Sequence, residues 1–320
     1  MQIKGSVPVV VQDVRLITDN IRFLKEKCYS PSLHRSYLAE LPAGYEGEFG
    51  PGVKALGVVL YHAVNTSEPK IIEFFEHIGV HISSGQVSNL LIKHQDRFHA
   101  EKDAVYEAGL RSTPWQHSDE TGTRVNGVNE HCHVMCNPLY TAYLTTEKKD
   151  RLTVIDVLTN LRPRVYRLLS RTYEWLLQAN VSVSVLDRLR RLPQDQVLGD
   201  EQFSRLLDEH LADVNAQHRR LVLEAAAITA YQTQQEFPVV QLLICDDAPQ
   251  FKRITDELAL CWVHDARYYN KLTPAVDYHR RLLADFMDRY WTLYHNLIAY
   301  QQNPDPAHIP RLEGEFDDLF

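Results

Sequence analysis

The stretch Trp115-Gln116-His117-Ser118-Asp119-Glu120-Thr121-Gly122-Thr123-Arg124-Val125-Asn126-Gly127-Val128 decides how the rest of the chain is read. Its Asn126-Gly127 pair favours a type I′ turn, because both central residues of that turn take positive φ, and it therefore predicts a tight β-hairpin. The first strand starts over residues 117–121, a second covers 131–136, and after the Asn137-Pro138 turn a third covers 140–145. A three-stranded antiparallel meander is the simplest arrangement of these segments. It places Asp119 inside the first strand.

Downstream, residues 148–235 are helix-like, with Leu158, Val165, Leu168, Leu169, Tyr173 and Leu176 at helical spacing and Pro163 and Pro193 as breaks. The run Val239-Val240-Gln241-Leu242-Leu243-Ile244 is aliphatic and β-branched, ends in Cys245-Asp246-Asp247, and reads as a buried strand of a parallel pair. A short strand is predicted over 258–263, an aromatic-rich helix over 278–301 and a last helix over 309–320.

Upstream, residues 53–110 turn helical. Ser67-Glu68-Pro69 opens a helix carrying Ile71, Ile72, Phe75 and Ile78, and Gly79 ends it. Ser83 and Gln86 have capping-box spacing at the head of a second helix with Val87, Leu90 and Leu91 on its apolar stripe. Two short helices across a glycine turn outline a helix-turn-helix whose second helix presents Gln86, Ser88, Asn89 and Lys93 to a DNA groove. A plain helical hairpin satisfies the same pattern. A longer helix is predicted over 89–109. Residues 7–41 read as a small β-rich module through Val9-Val10-Val11, Val14, Leu16 and a second run over 21–23, and the cluster Pro42, Gly44, Gly47, Gly50, Pro51 and Gly52 marks a boundary. The domains so drawn are a small β-rich segment over 1–48, a helical DNA-binding region over 49–112, and an α/β (mixed α+β) domain over 113–320 with a helical insertion over 148–236.

Composition narrows the function classes. With 44% hydrophobic and 24% charged residues in 320, the chain is neither collagen-like nor disordered nor a disulfide scaffold. No apolar run approaches the ~18 residues that cross a bilayer, and no secretory signal opens the chain, so a cytoplasmic protein is expected. Five dispersed cysteines suit reduced thiols. Acidic residues exceed basic ones by 42 − 34 = 8, so any DNA partner must be met by local patches rather than by total charge. Arg162, Arg164, Arg167, Arg171, Arg188, Arg190 and Arg191 could form such a patch or a solvated helix face. His131, Cys132, His133 and Cys136 alternate between the two faces of a strand, which speaks for packing rather than a four-ligand zinc site.

The chemistry is expected at two acidic pairs, Asp119-Glu120 within the first meander strand and Asp246-Asp247 after the buried strand. Carboxylates at central strands are costly to bury unless paired or holding a cation, and hard oxygen ligands select Mg²⁺ or Mn²⁺ together with substrate phosphates. The alternative is that each acid merely caps the loop or helix that comes after it.

The residues Trp115 to Gly127 quoted above resemble the transposase family of bacterial insertion sequence 66. Leu243-Ile244-Cys245-Asp246-Asp247-Ala248-Pro249-Gln250-Phe251 is similar to the family's second-acid segment, and Cys261-Trp262-Val263-His264-Asp265-Ala266-Arg267 to its strand-then-helix signature. Phe49-Gly50-Pro51 and Ile82-Ser83-Ser84-Gly85-Gln86 resemble its N-terminal helical region, so the likeness runs from about Phe49 to the end. It implies a ribonuclease-H-like core whose first and fourth strands are neighbours, with Asp119 and Asp246 as the first two catalytic and metal-binding acids. Asp247, His264 and Arg267 are implied as active-site neighbours. The implied partners are double-stranded DNA, at element ends and target, and further copies of the chain assembled on it in the bacterial nucleoid. The implied reaction is Mg²⁺- or Mn²⁺-dependent strand cleavage and strand transfer. One departure matters: the family's third acid, a glutamate after an Asn-Asn-like motif, has no matching segment before Phe320, and Cys28 alone cannot supply an N-terminal zinc segment. The chain is therefore expected to be C-terminally incomplete and inactive by itself. A non-catalytic DNA-binding remnant and a helical protein–protein interaction module are the other readings.

Overall fold

In the computed structural model, which describes residues 5–45, 47–93 and 95–320, the chain divides into two compact units, Met1–Ala100 and Glu101–Phe320. The first opens with residues 5–26, which form no strand. Val7, Val9, Val10, Val11 and Val14 are all exposed, because a β-branched run has no sheet to join unless a partner strand and an apolar surface are at hand. The β-rich module expected over 7–41 reduces to one hairpin, β1 (Lys27–Ser30) with β2 (Arg35–Leu38).

Helices α1 (Pro51–His62), α2 (Glu68–His77) and α3 (Ser84–Ile92) come next, as the sequence signals require. Gly79 takes the left-handed φ of 81° that ends α2, and Ser83 with Gln86 closes a reciprocal capping box on α3. Ile71, Phe75, Val80, Ile82 and Val87 form their common core. The helix expected over 89–109 is in fact broken: α3 stops at Ile92, and α4 runs Asp96–Ser112.

The second unit is built on a five-stranded sheet. Asn126 and Gly127 adopt φ of 50° and 82°, joining β3 (Trp115–Val125) to β4 (Val128–Asn137), and β5 (Tyr140–Thr146) completes the meander. The chain then leaves the sheet for the insertion: α5 (Arg151–Leu158), a two-residue ladder of β6 (Val165–Tyr166) with β7 (Leu198–Gly199), α6 (Ser170–Gln178), α7 (Val183–Leu189), α8 (Asp200–His210) and the buried α9 (Ala216–Thr233). It returns as β8 (Leu242–Cys245), turns through Pro249–Phe251, and adds β9 (Glu257–Leu260). Then come α10 (Trp262–Asn270), α11 (Asp277–Gln302) and α12 (Ile309–Asp317). The strands expected over 239–244 and 258–263 are thus shorter, and Trp262 already belongs to a helix.

The sheet order is β5-β4-β3-β8-β9, with β3 antiparallel to β4 and parallel to β8. This is a mixed α/β unit in which the first and fourth sheet strands lie side by side, as expected above. Gln116, Ser118, Met135, Ala142, Leu144, Leu243 and Cys245 are buried on one sheet face, and the apolar members join the insertion helices in one core. Among the described residues no helix is long and apolar enough to cross a membrane.

Two close fits control this packing. Gly109 on α4 lies against the Tyr140 ring, and a Cβ there would stand 2.4 Å from the ring's Cδ1. Gly109→Ala is expected to destabilise the unit by about 1–3 kcal/mol, read as a lower urea midpoint, since a ring locked by the Tyr140–Gln116 hydrogen bond of 3.0 Å has little room to move. An unchanged midpoint would contradict this packing. His133 sits opposite Glu120, and burial pushes its imidazole below the ordinary value of 6.5. The unfolded chain therefore takes up a proton near pH 6.5 that the folded chain resists, and stability falls as pH drops through that value. His133→Gln should flatten the slope of unfolding free energy against pH between about 7 and 5.

Candidate active site

The parallel register of β3 and β8 pairs Trp115 with Leu242, Gln116 with Leu243 and His117 with Ile244. The ladder ends there; the same register carried two residues further would set Asp246, which lies just beyond β8, opposite Asp119, on the sheet face away from the buried Gln116, Ser118, Leu243 and Cys245. Neighbouring strands run about 4.8 Å apart, so the β3–β8 pairing brings the chain segments that carry these two acids to the same end of the sheet. Asp119 Oδ1 accepts the Glu120 N–H at 2.8 Å, and Asp246 Oδ1 accepts the Ala248 N–H at 3.1 Å, which shapes the turn after β8. The Asp119 charge, after burial, is the second cause that raises the Cys136 thiol above its usual range.

His264 joins them. Its Nε2 stands 3.8 Å from Asp119 Oδ1, while Nδ1 is buried with no hydrogen-bond partner among the described residues. The first turn of α10, which carries His264, is fixed from behind, where Tyr290 on α11 donates to the Trp262 carbonyl at 2.8 Å and to Asp265 at 3.0 Å. Of the other expected neighbours, Asp247 faces away and pairs with Lys252 at 2.9 Å, and Arg267 is exposed about one turn beyond His264.

Two residues that motif reading passed over hold the neighbours of these acids. Lys149 donates to Glu120 at 2.7 Å, and that bond holds its ammonium above its ordinary range, with the Asp246 charge adding to the effect. Arg151 binds the turn after Asp246, donating to the carbonyls of Pro249 at 2.6 Å and Lys252 at 3.1 Å. Nothing in local spacing marks either residue. The one available signal is their position at the entry to the insertion, on both sides of Asp150, whose carboxylate caps α5 through the Thr153 N–H at 2.9 Å.

Asp119 and Asp246 suit a hydrated hard cation held by two carboxylates and substrate phosphate oxygens, since among the described residues neither acid forms an ion pair with Lys or Arg. They do not make a protein cage: among the described residues no group of three or more His, Cys, Asp or Glu is disposed to hold a metal.

The helical residues expected to read DNA divide. Gln86 is not available for a groove. Its Oε1 accepts Ser83 N–H and Oγ–H at 3.0 Å each, and its amide donates to Glu48 at 2.9 Å. Ser88 is half-buried, whereas Asn89 on α3 and Lys93 just beyond it are exposed. The arginine patch is also largely committed. Arg162 pairs with Glu107, Arg164 with Asp156, Arg167 with Asp195, Arg171 with Asp256, Arg188 with Asp213 and Arg190 with Asp187. Arg164, Arg167 and Arg188 link segments within the insertion, Arg162 and Arg171 tie it to α4 and to the segment before β9, and Arg190 pairs with Asp187 of the helix it caps. Gln86→Ala should accordingly act as a cap deletion, lowering the stability of the helical unit by about 1 kcal/mol in urea unfolding. Asn89→Ala should leave it unchanged within about 0.5 kcal/mol.

No family model matches the chain. A curated protein described as "Uncharacterized protein y4jO", from Sinorhizobium fredii (strain NBRC 101917 / NGR234), is 25% identical over 216 residues, which is 68% of this chain and 66% of that protein. The match thus spans just under two thirds of the relative's length. No solved structure matches.

Proposed function

We propose that the chain is of the insertion sequence 66 transposase type, whose metal-dependent phosphodiester cleavage and strand transfer use Asp119 and Asp246 together with a third acid for which this chain has no matching segment, so that by itself it does not complete the reaction. The observation that supports the reading is the parallel β3–β8 pairing, which ends two residues before Asp119 and Asp246 on neighbouring strands, with His264 beside Asp119. Asp119 and Asp246 would hold Mg²⁺ or Mn²⁺. Bound there, the ion supplies charge neutralisation at phosphorus and a lowered pKa for an attacking water. His264, whose Nε2 stands 3.8 Å from Asp119, would lie beside a bound phosphodiester, while Lys149 stays paired with Glu120. Asn89 and Lys93 would face duplex DNA from α3, and copies would assemble on that DNA in the bacterial nucleoid.

The lack of a three-residue metal group among the described residues favours a second reading, a chain that binds duplex without cutting it. One experiment separates the two. End-labelled duplex is incubated with the protein in Mg²⁺ or Mn²⁺ at several salt concentrations, and Mn²⁺ binding is measured alongside. The outcome expected of an acid pair lacking its third member is weak Mn²⁺ binding that disappears in Asp119→Asn and Asp246→Asn, with little or no strand cleavage. Salt-dependent duplex binding without any Mn²⁺ binding that depends on these two acids would sink the catalytic reading in favour of the second. Absence of salt-dependent binding would remove both and leave a protein–protein interaction module.

A further inference from the structure

We propose that Arg151 is the positioning residue of the candidate site: its guanidinium ties the turn that carries Asp246 to the helical insertion, so that the insertion sets where this acid stands. The inference rests on the two-acid reading for its functional meaning and on hydrogen-bond geometry for its substance.

Asp246 lies one residue beyond β8, where the ladder no longer dictates its place. Its carboxylate makes the Asx bond to Ala248 N–H, the chain then turns at Pro249–Phe251, and the side chains of Phe251 and Ile254 sink into the core. Arg151 closes this turn from outside the sheet. Nη2 donates to Pro249 O at 2.6 Å and Nε to Lys252 O at 3.1 Å, so one planar fork holds two carbonyls three residues apart. Nη1 donates to Glu224 of α9, a carboxylate only 6% exposed, which also lies 3.6 Å from Arg220. The guanidinium is itself only 16% exposed and stands over the Trp175 ring of α6.

Each contact has a reason to be arginine. An ammonium is a compact charge that can neutralise Glu224 but cannot span both carbonyls in the fixed geometry of a guanidinium. The same three-residue segment reaches both acids: Lys149 grips Glu120 next to Asp119, Asp150 caps α5, and Arg151 grips the turn after Asp246. The start of the insertion therefore spans the two acid-bearing strands. A shift of α5 relative to α9 would be transmitted to Asp246 through Arg151.

The test uses the full chain as wild type, Arg151→Lys, Glu224→Gln and Asp246→Asn. Hydrogen exchange of the amides at 247–252 is measured alongside Mn²⁺ binding, monitored by the paramagnetic signal of the free ion. Arg151→Lys, which keeps the charge beside Glu224, is expected to fold. Its exchange should be about tenfold faster or more at 247–252 alone, with the rest of the unit unchanged. Its Mn²⁺ binding should be weaker by about tenfold to a hundredfold, as for loss of a group that orients a ligand. Glu224→Gln, which keeps both carbonyl bonds, should show a smaller local effect. A merely structural role would instead accelerate exchange throughout the unit. Unchanged exchange at 247–252 in Arg151→Lys, or acceleration spread evenly over the unit, would overturn the proposal. Should wild type bind no Mn²⁺, or bind it equally after Asp246→Asn, the metal reading falls separately, and the exchange result alone decides the role of Arg151.

Discussion

The second unit depends on one pairing, the parallel ladder between β3 and β8, whose partners are more than a hundred residues apart in the chain. A parallel pair cannot be closed by a tight turn and needs a crossover. Here the crossover consists of β4, β5, the short β6–β7 ladder and five helices. Those helices serve a second purpose, because the inner sheet face bearing Met135, Ala142, Leu144 and Leu243 must be covered, and α9 with its neighbours covers it. Gln116 shows how tightly the start of β3 is held. Its amide donates to the Gly109, Leu110 and Thr113 carbonyls, and its oxygen accepts from Tyr140 and Asn137. A buried amide with its bonds made stabilises one register, since a one-residue slip would strand it.

Charge is used inward as much as outward. The arginines of the insertion pair with carboxylates from other segments, and Arg151 with Glu224 is the most buried of these pairs. A buried pair contributes little net stability, but losing either partner leaves an uncompensated charge, so such pairs select an arrangement more than they strengthen it. The basic residues that look in sequence like a phosphate patch are, most of them, paired with carboxylates in the folded unit. A guanidinium within reach of an aspartate in a folded unit is no longer free for DNA. The same logic removes Gln86 from the groove-reading set, because its amide is occupied by the cap of its own helix.

Much of the fold was legible from local chemistry. Asn126-Gly127 placed the hairpin, Gly79 and the Ser83/Gln86 box placed α2 and α3, and the aliphatic run before Cys245 announced a buried strand. The misreadings have one cause. Val9-Val10-Val11 has strand propensity but nothing to pair with, and the break between α3 and α4 interrupts a pattern that continues in sequence. Propensity describes what a segment tolerates, and tertiary contacts decide what it does. At the site, Asp119, Asp246 and His264 were visible as residues in a pattern. Lys149 and Arg151 were not, because their partners are backbone carbonyls and a carboxylate contributed by other elements.

By itself, the sequence determined the element types, the meander, the two acids and the chemistry open to carboxylates at strand ends, since each of these derives from local spacing and residue type. Only the tertiary structure decided which strand Asp119 faces, which cations remain available to a phosphate, and what holds the turn after Asp246. Those depend on side chains brought together by the β3–β8 register across a long crossover, and neither spacing nor composition encodes a meeting of that kind.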